Sequence, residues 1–300
     1  MALVLESGPA QRANREVVPE GPEVRRLADR LAGALAGRRA ERVRFGLPRL
    51  LHHEDELSGA RIESVESRGK ALLTRFEGDR ILYSHNQLYG RWYVCPPDRP
   101  PKTRRSLRVA IETADRWALL YSASEIELLS SEELPSHPFL SGLGPDLLDP
   151  KTTPAKIRTR SRGPRFARRA LGGLLLEQGF LAGVGNYLRS EILFFAGLGP
   201  DARPDDLADE ELQRFSRAAR QITLRSYRTG GVTETAVHAR AAKAAGAPRR
   251  VWRHAVFGRA GSACRRCASK IRRLDVGGRR LHLCPTCQPP RGRTRRARTK

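Results

Sequence analysis

Four of the five cysteines in this chain are spaced as ligands for one metal ion. Cys264 and Cys267 form one C-x-x-C pair, and Cys284 and Cys287 form a second pair after sixteen intervening residues. Each two-residue spacer lets both thiolates reach the same ion, and four sulfurs supply the tetrahedral set that Zn²⁺ prefers. We therefore predict one structural Zn²⁺ ion rather than a redox or disulfide site. Cys95, the fifth cysteine, is expected to be an ordinary strand residue.

The segment between the two cysteine pairs is predicted to form a β-hairpin that turns at Gly277-Gly278. A module of about 25 residues can build little core, so the metal would supply the folding energy. Arg279 and Arg280 follow the turn, where they could grip a phosphate or enter a groove. They could equally be two of many solvated arginines.

The charge of the chain is distributed unevenly. Overall, 56 Lys and Arg oppose 32 Asp and Glu, which gives a net charge of +24. Residues 1–150 carry 22 basic and 22 acidic residues, whereas residues 151–300 carry 34 basic and 10 acidic residues. Such a half-chain indicates a polyanionic partner, most commonly nucleic acid. A solubilising surface or an arginine-biased genome is the alternative, and residues 289–300 are predicted to be a disordered basic arm.

No apolar run approaches the roughly 20 residues that cross a bilayer, so no membrane span is predicted. The apolar run that opens the chain has only five residues before Glu6, too few for a secretory signal. We therefore expect a cytoplasmic protein.

The periodicity of the chain changes twice. Three- and four-residue apolar spacing predicts a helix that begins at Pro22 and ends near Gly37. Between about residues 43 and 130 the period falls toward two, which predicts an antiparallel sheet system arranged as a sandwich. The proline-rich residues 137–154 mark the change to another architecture.

The second half is predicted to be helical over residues 166–183, 186–199 and 205–227. The first two stretches are divided by a glycine-rich turn that ends at Asn186, a pattern typical of a helix-turn-helix unit. Residues 240–250 are predicted to be a linker.

Four motifs in one order resemble the formamidopyrimidine-DNA glycosylase and endonuclease VIII family of base-excision-repair enzymes. They are Pro-Glu-Gly-Pro-Glu from Pro19, "SRGKALL", "GVGNYLRSEIL" and the four-cysteine finger. The resemblance runs collinearly from Pro19 to Gln288. "YSHNQLYG" in particular resembles the endonuclease VIII branch, which acts on oxidised pyrimidines. The same chemistry on 8-oxoguanine or formamidopyrimidine is the alternative.

The resemblance implies an α+β fold with damaged DNA bound in the cleft between its domains. An N-terminal β-sandwich flanked by helices would occupy residues 19–150, and a central helix-two-turn-helix DNA-binding domain residues 151–245. A C-terminal four-cysteine zinc-finger hairpin would follow at residues 246–288. The protein would be a nucleoid-associated monomer without a small-molecule cofactor.

The resemblance also implies three catalytic residues. Pro19 matches the N-terminal proline whose secondary amine attacks C1′ of the deoxyribose, which leads to β,δ-elimination at the abasic site. Glu20 matches the general acid that helps to open the sugar, and Lys70 matches a lysine that assists there. Without the family, Glu20 would be read as a first-turn helix carboxylate and Lys70 as a solvated turn residue.

Five further residues match positions that hold DNA in the family. Asn186 and Arg279 match residues that clasp phosphates around the flipped nucleotide, although Asn186 could also cap a helix. Gln87, Leu88 and Tyr89 match the wedge that fills the gap left in the duplex. Plain strand residues are the alternative for these three.

The chain departs from the family at its nucleophile. Pro19 is joined to Val18 by a tertiary amide, whose nitrogen has no nucleophilic lone pair. We favour a start of translation at the codon of Val18, because a GTG codon can initiate as methionine and a methionine before proline is readily removed. Pro19 would then be the mature N-terminus, and residues 1–18 would not be a native leader. A leader removed by a protease is the second possibility. A retained leader on a non-catalytic zinc-ribbon DNA-binding relative is the third.

Overall fold

A computed structural model describes residues 18–291. Residues 1–17 of the predicted leader and residues 292–300 of the predicted basic arm lie outside the described residues. Within residues 18–291, no helix combines the length and the apolar character needed to cross a membrane.

The N-terminal region is a helix followed by two four-stranded antiparallel sheets, as the periodicity predicts. The helices are α1 (Gly21–Leu35) and α2 (Glu54–Leu57), with a 3₁₀ turn at Pro48–His53. The strands are β1 (Arg42–Phe45), β2 (Ile62–Arg68), β3 (Ala71–Phe76), β4 (Arg80–His85), β5 (Arg91–Cys95), β6 (Leu107–Glu112), β7 (Trp117–Tyr121) and β8 (Glu125–Leu129). One sheet has the order β1-β6-β7-β5 and the other β2-β3-β4-β8, which confirms the sandwich.

The two central strands of the second sheet, β3 and β4, are buried on both faces. Leu72 and Leu82 point into the core shared with the first sheet and α1. Their neighbours Leu73 and Tyr83 point the other way and pack against apolar side chains that include Phe139. Because side chains alternate along a strand, two covered faces hold β3 and β4 firmly in place. These two strands therefore fix the positions of the loops that they carry.

The central region is helical. It contains α3 (Pro138–Ser141), α4 (Pro154–Arg162), α5 (Leu171–Leu174), α6 (Asn186–Ala196), a 3₁₀ turn at Pro204–Asp206, and α7 (Asp209–Arg228). Helix α6 is buried over almost its whole length and packs against α7. A helix that is buried all round lies at the centre of its domain.

The predicted helix over residues 166–183 is largely wrong, because only Leu171–Leu174 is helical. The backbone N–H of Leu171 donates to the carbonyl of Ala202 and that of Gly172 to the carbonyl of Pro200, both at 2.8 Å. A Cβ on Gly172 would lie 2.7 Å from Cβ of Pro200. This close lateral contact takes the place of a continuous helix.

The C-terminal region contains α8 (Ala236–Ala244), α9 (Arg249–Trp252), β9 (Arg272–Val276) and β10 (Arg279–Leu283). The predicted linker at residues 240–250 is mostly helical. It is ordered by the indole of Trp252, which donates to the carbonyl of Ala247 at 3.0 Å and lies 4.5 Å from the Lys243 ammonium. The predicted hairpin is confirmed, with positive φ at Gly277 and Gly278.

Candidate active site

The N-terminal, helical and C-terminal regions enclose a cavity of about 440 Å³. Four of the predicted site residues line it, namely Glu20, Lys70, Asn186 and Arg279. Val18 also lines the cavity, and Pro19 is the half-buried residue between Val18 and Glu20. The fold thus brings together residues that lie up to about 260 positions apart in the chain.

The Glu20 carboxylate caps helix α6. It accepts hydrogen bonds from the backbone N–H groups of Gly185 and Tyr187, each at 2.8 Å, and from that of Leu188 at 3.2 Å. The first N–H groups of a helix have no partner within the helix and carry its positive dipole end. A residue of the N-terminal region therefore completes a helix of the central region.

Glycine is required where the two regions meet. The N–H of Gly21 donates to the carbonyl of Gly183 at 2.8 Å. A Cβ on Gly185 would lie only 2.4 Å from the carboxyl carbon of Glu20. Only a residue without a side chain lets the carboxylate reach the start of α6.

Burial shifts the pKa values of Glu20 and Lys70 in opposite directions. It raises the pKa of Glu20 to about 7, although the positive charge of Lys70 opposes the rise. Burial also lowers the pKa of Lys70, helped by Arg279 and opposed by Glu20. A carboxyl group that keeps its proton near neutral pH can act as an acid, and a lysine with a lowered pKa loses its proton more readily.

Asn186 is the first residue of α6, yet it does not cap the helix through its side chain. No side chain at the start of the helix itself makes a capping hydrogen bond, and the Glu20 carboxylate accepts from these N–H groups instead. The buried Oδ1 of Asn186 has no hydrogen-bond partner among residues 18–291. The capping interpretation of Asn186 is therefore wrong, and its amide remains available to a ligand in the cavity.

Arg279 is exposed at the start of β10, and the buried Arg189 holds its backbone. The Arg189 guanidinium donates to the carbonyls of Gly172 at 2.7 Å, Arg279 at 3.0 Å, Arg280 at 3.2 Å and Val276 at 3.3 Å. Burial lowers the pKa of Arg189 to about 10. Arg189 thereby fixes the hairpin turn against α6.

Glu191 has the corresponding role two residues further along α6. Its buried carboxylate accepts hydrogen bonds from the N–H groups of Ala255 and Val256 at 2.8 Å and of Phe257 at 2.9 Å. The hydroxyl of Thr233 donates to it at 2.6 Å. Arg189 and Glu191 were not among the site residues predicted from the sequence. Their signal was two charged residues in an otherwise apolar stretch.

The predicted wedge forms the loop between β4 and β5. Leu88 is 55% exposed and Tyr89 is 64% exposed. Gln87 has a positive φ of 47°, and its side chain is held by the Ser124 hydroxyl at 3.0 Å and by the Glu125 carboxylate. Two exposed apolar side chains on a braced loop are available to fill a gap in a ligand.

The wedge lies outside the cavity lining but at the same edge of the sheet as Lys70. Gly69 and Lys70 form the turn between β2 and β3, and the next residue, Ala71, pairs with His85 at the end of β4. The wedge follows His85 after one intervening residue, Asn86. The strand register therefore places Lys70 and the wedge on neighbouring loops.

The four predicted metal ligands come together. The Sγ atoms of Cys264, Cys267, Cys284 and Cys287 all lie within 4.8 Å of one another. Two of these separations are 3.9 Å, from Cys264 to Cys287, and 3.4 Å, from Cys267 to Cys284. A tetrahedron with Zn–S bonds of about 2.3 Å has sulfurs about 3.8 Å apart, so this cluster fits zinc. Cys95 is the last residue of strand β5, as predicted.

Three family models match successive parts of the chain. The formamidopyrimidine-DNA glycosylase N-terminal domain matches residues 18–124, and the H2TH domain of the same glycosylase matches residues 143–237. The zinc finger found in FPG and IleRS matches residues 261–290.

Curated relatives and solved structures agree with these matches. Endonuclease 8 of Pectobacterium atrosepticum is 47% identical over 271 residues, which cover 90% of this chain and 100% of that protein. Endonuclease 8 of Escherichia coli is 45% identical with the same coverage. The fold is similar to that of the Lactococcus lactis Fpg in complex with DNA containing an abasic site. That match has a TM-score of 0.75 and 23% identity, and it covers 90% of this chain and 100% of the other.

Replacing Arg189 by methionine is expected to loosen the hairpin turn. Its carbonyl acceptors would lose their donor, so the free energy of unfolding should fall by about 3 kcal/mol in urea denaturation. Amide hydrogen exchange of residues 272–283 should quicken more than that of the β-sandwich. The exposed Arg217→Met is the matched control and should stay within about 0.5 kcal/mol of the parent. Equal losses in the two variants would contradict the role of Arg189.

Replacing Glu20 by glutamine is expected to flatten the pH dependence of stability. Because the pKa of Glu20 is raised in the folded chain, the folded state holds a proton that the unfolded state has lost. The free energy of unfolding should therefore fall between pH 5 and pH 8, by on the order of 2 kcal/mol more in the parent than in Glu20→Gln. Urea denaturation at the two pH values measures this, with the exposed Glu66→Gln as control. A parallel pH dependence in parent and Glu20→Gln would refute the raised pKa.

Proposed function

Because this chain belongs to the formamidopyrimidine-DNA glycosylase and endonuclease 8 family of DNA glycosylase/abasic-site lyases, we propose that it excises oxidised pyrimidines and then cuts the DNA strand. The observation that carries this proposal is the cavity where Glu20, Lys70, Asn186 and Arg279 converge beside Pro19. The preference for pyrimidines rests on the 44–47% identity to proteins named endonuclease 8. The likeness to Fpg structures, at 22–23% identity, supports the fold alone.

Pro19 is the proposed nucleophile in a form of the protein that begins at this residue. Val18 is 40% exposed and lines the cavity, so its removal would leave the Pro19 nitrogen facing that space. An N-terminal amine titrates near pH 8, which leaves a useful neutral fraction at working pH. The neutral nitrogen would bond to C1′ of the damaged nucleotide while the base departs with the electron pair of the glycosidic bond. The proton that the nitrogen carried would pass to the departing base, which leaves a neutral tertiary amine at C1′.

Glu20 and Lys70 are the proposed proton-transfer groups at the sugar. A protonated Glu20 would donate to the ring oxygen as the C1′–O4′ bond breaks, which leaves a charged iminium between Pro19 and C1′. The iminium draws electrons from the sugar and acidifies the proton on C2′. A neutral Lys70 would accept that proton as the 3′ phosphate leaves with the electron pair of its C–O bond. A second elimination, with loss of the C4′ proton, would expel the 5′ phosphate.

DNA would be held by groups on all three regions. The Asn186 amide and the Arg279 guanidinium are the proposed phosphate clamp, since both line the cavity. Leu88 and Tyr89, with Gln87, are the proposed wedge, because a base must leave the duplex before its sugar can be attacked. The chain's excess of positive charge in residues 151–300 would add binding that depends on salt.

Zinc is the proposed structural ion of the C-terminal hairpin. Cys264, Cys267, Cys284 and Cys287 would hold it, and a closed four-sulfur set leaves no coordination position for a substrate. The ion would stabilise the short hairpin that carries Arg279. Its contribution to the reaction would therefore be to position this arginine.

Borohydride trapping tests the proposed nucleophile. A zinc-loaded protein that begins at Pro19 should be reduced onto DNA containing an abasic site, and peptide mapping should locate the adduct at Pro19. The chain that retains residues 1–18 is the matched control and should give no adduct, because its Pro19 nitrogen is an amide. A folded Pro19-start protein that binds this DNA without forming an adduct would favour the non-catalytic relative.

Competing duplexes test the proposed substrate class. Under single-turnover conditions, the Pro19-start protein should cut duplexes with thymine glycol about tenfold faster, or more, than duplexes with 8-oxoguanine. A duplex with an undamaged thymine provides the background. Faster cutting at 8-oxoguanine would support the alternative of oxidised purines.

A further inference from the structure

The two faces of the C-terminal hairpin have different surroundings. Leu281 and Leu283 of β10 pack into the core around α6. Because side chains alternate along a strand, Arg280 and His282 point to the opposite face. In the antiparallel register Arg280 pairs with Asp275, and His282 pairs with Arg273. Three of these four residues, Arg273, Arg280 and His282, line the cavity that contains Glu20.

His282 is built into this face and has an unpaired polar atom. The residue is only 6% exposed, and its buried Nδ1 has no hydrogen-bond partner among residues 18–291. The Phe257 ring lies at 5.0 Å from the imidazole in an edge arrangement, which restricts its orientation. An unpaired polar atom in a buried position is unfavourable unless a ligand satisfies it.

Few carboxylates within the protein neutralise the charges of Arg273 and Arg280. Arg273 lies 3.9 Å from the Asp275 carboxylate, both partly exposed. Within the part of the chain described by the structure, no carboxylate lies within 4.0 Å of the Arg280 guanidinium. A cationic wall with one carboxylate at its margin matches the charge and the acceptor oxygens of a phosphodiester.

We propose that Arg273, Arg280 and His282 form a second phosphate-binding position in the cleft, which takes a DNA backbone phosphate other than the one held by Asn186 and Arg279. This inference rests on the proposed function, because it requires DNA in the cleft. The two arginines supply the charge, and the imidazole supplies a hydrogen bond from a fixed ring. The hairpin would then hold two points of one strand rather than one.

The salt dependence of DNA binding measures the number of phosphate contacts. The protein that begins at Pro19 would be titrated with a duplex containing a tetrahydrofuran abasic analogue, which cannot react, at several salt concentrations. Log affinity falls as log salt rises, and Arg280→Ala should make this slope shallower by about one. Arg273→Ala should act in the same direction. Arg272→Ala is the matched control, because this exposed arginine lies beside Arg273 on β9 but on the other face of the hairpin. Its slope should stay close to that of the parent.

Uncharged linkages locate the contact. In duplexes with single methylphosphonates near the abasic analogue, one linkage should abolish the effect of Arg280→Ala while leaving the effect of Arg279→Ala intact. If Arg280→Ala and Arg279→Ala lose their effects at the same linkage, the second position does not exist.

His282→Phe separates binding from folding. It keeps a ring of similar size and removes the unpaired nitrogen, so the melting temperature should not fall, whereas the dissociation constant for the duplex should rise several-fold. Unchanged affinity would exclude His282 from the site.

The outcomes distinguish this inference from the proposed function. A parent protein that forms the reducible adduct and binds the analogue, but whose salt slope is as insensitive to Arg280→Ala as to Arg272→Ala, would overturn the second position alone. A parent protein that binds no abasic DNA would overturn both.

Discussion

The contact on which the rest of the structure depends is the Glu20 carboxylate at the start of helix α6. Three backbone N–H groups converge on it, and the missing side chain of Gly185 leaves the space that it occupies. This contact seals the junction between the β-sandwich and the helical region with a buried ionisable group. Burial at this junction raises the pKa of Glu20 to about 7, although the hydrogen bonds from the N–H groups of Tyr187 and Leu188 oppose the rise. The residue that joins the regions is therefore also a carboxyl group that holds its proton near neutral pH. The joint and the proposed acid are one residue.

Side chains of helix α6 also hold other elements in place through hydrogen bonds. Tyr187 follows the capped end and donates its hydroxyl to Glu23 of α1 at 2.9 Å. Arg189 then holds the carbonyls of the hairpin turn, and Glu191 holds the N–H groups of the segment that precedes the cysteines. Three alternate positions of one helix therefore hold α1, the hairpin turn and the segment before the cysteines. Several hydrogen bonds to each of the two buried charged groups, Arg189 and Glu191, give this junction a defined geometry.

The cavity combines rigid groups with groups that remain available to a ligand. Lys70 lies on the two-residue turn that leads into β3, a strand covered on both faces, so its position is set by the sandwich. In contrast, Leu88, Tyr89 and Arg279 are exposed, and the Asn186 Oδ1 has no partner in the described chain. Unsatisfied and exposed groups around a fixed acid are typical of a site that is completed by its ligand.

The sequence by itself determined the local features whose cause is local. The C-x-x-C spacing specified the metal cluster, period-two segments specified the sandwich, and Gly277-Gly278 specified the hairpin turn, because each depends on neighbouring residues. Residues 166–183 were predicted wrongly as one helix, since their backbone forms short turns and the N–H groups of Leu171 and Gly172 donate to the distant carbonyls of Ala202 and Pro200. Only the tertiary structure decided that Glu20 caps α6 and that Arg189 and Glu191 hold the C-terminal region. Those roles depend on burial and on partners up to about 170 residues away, which no local pattern encodes.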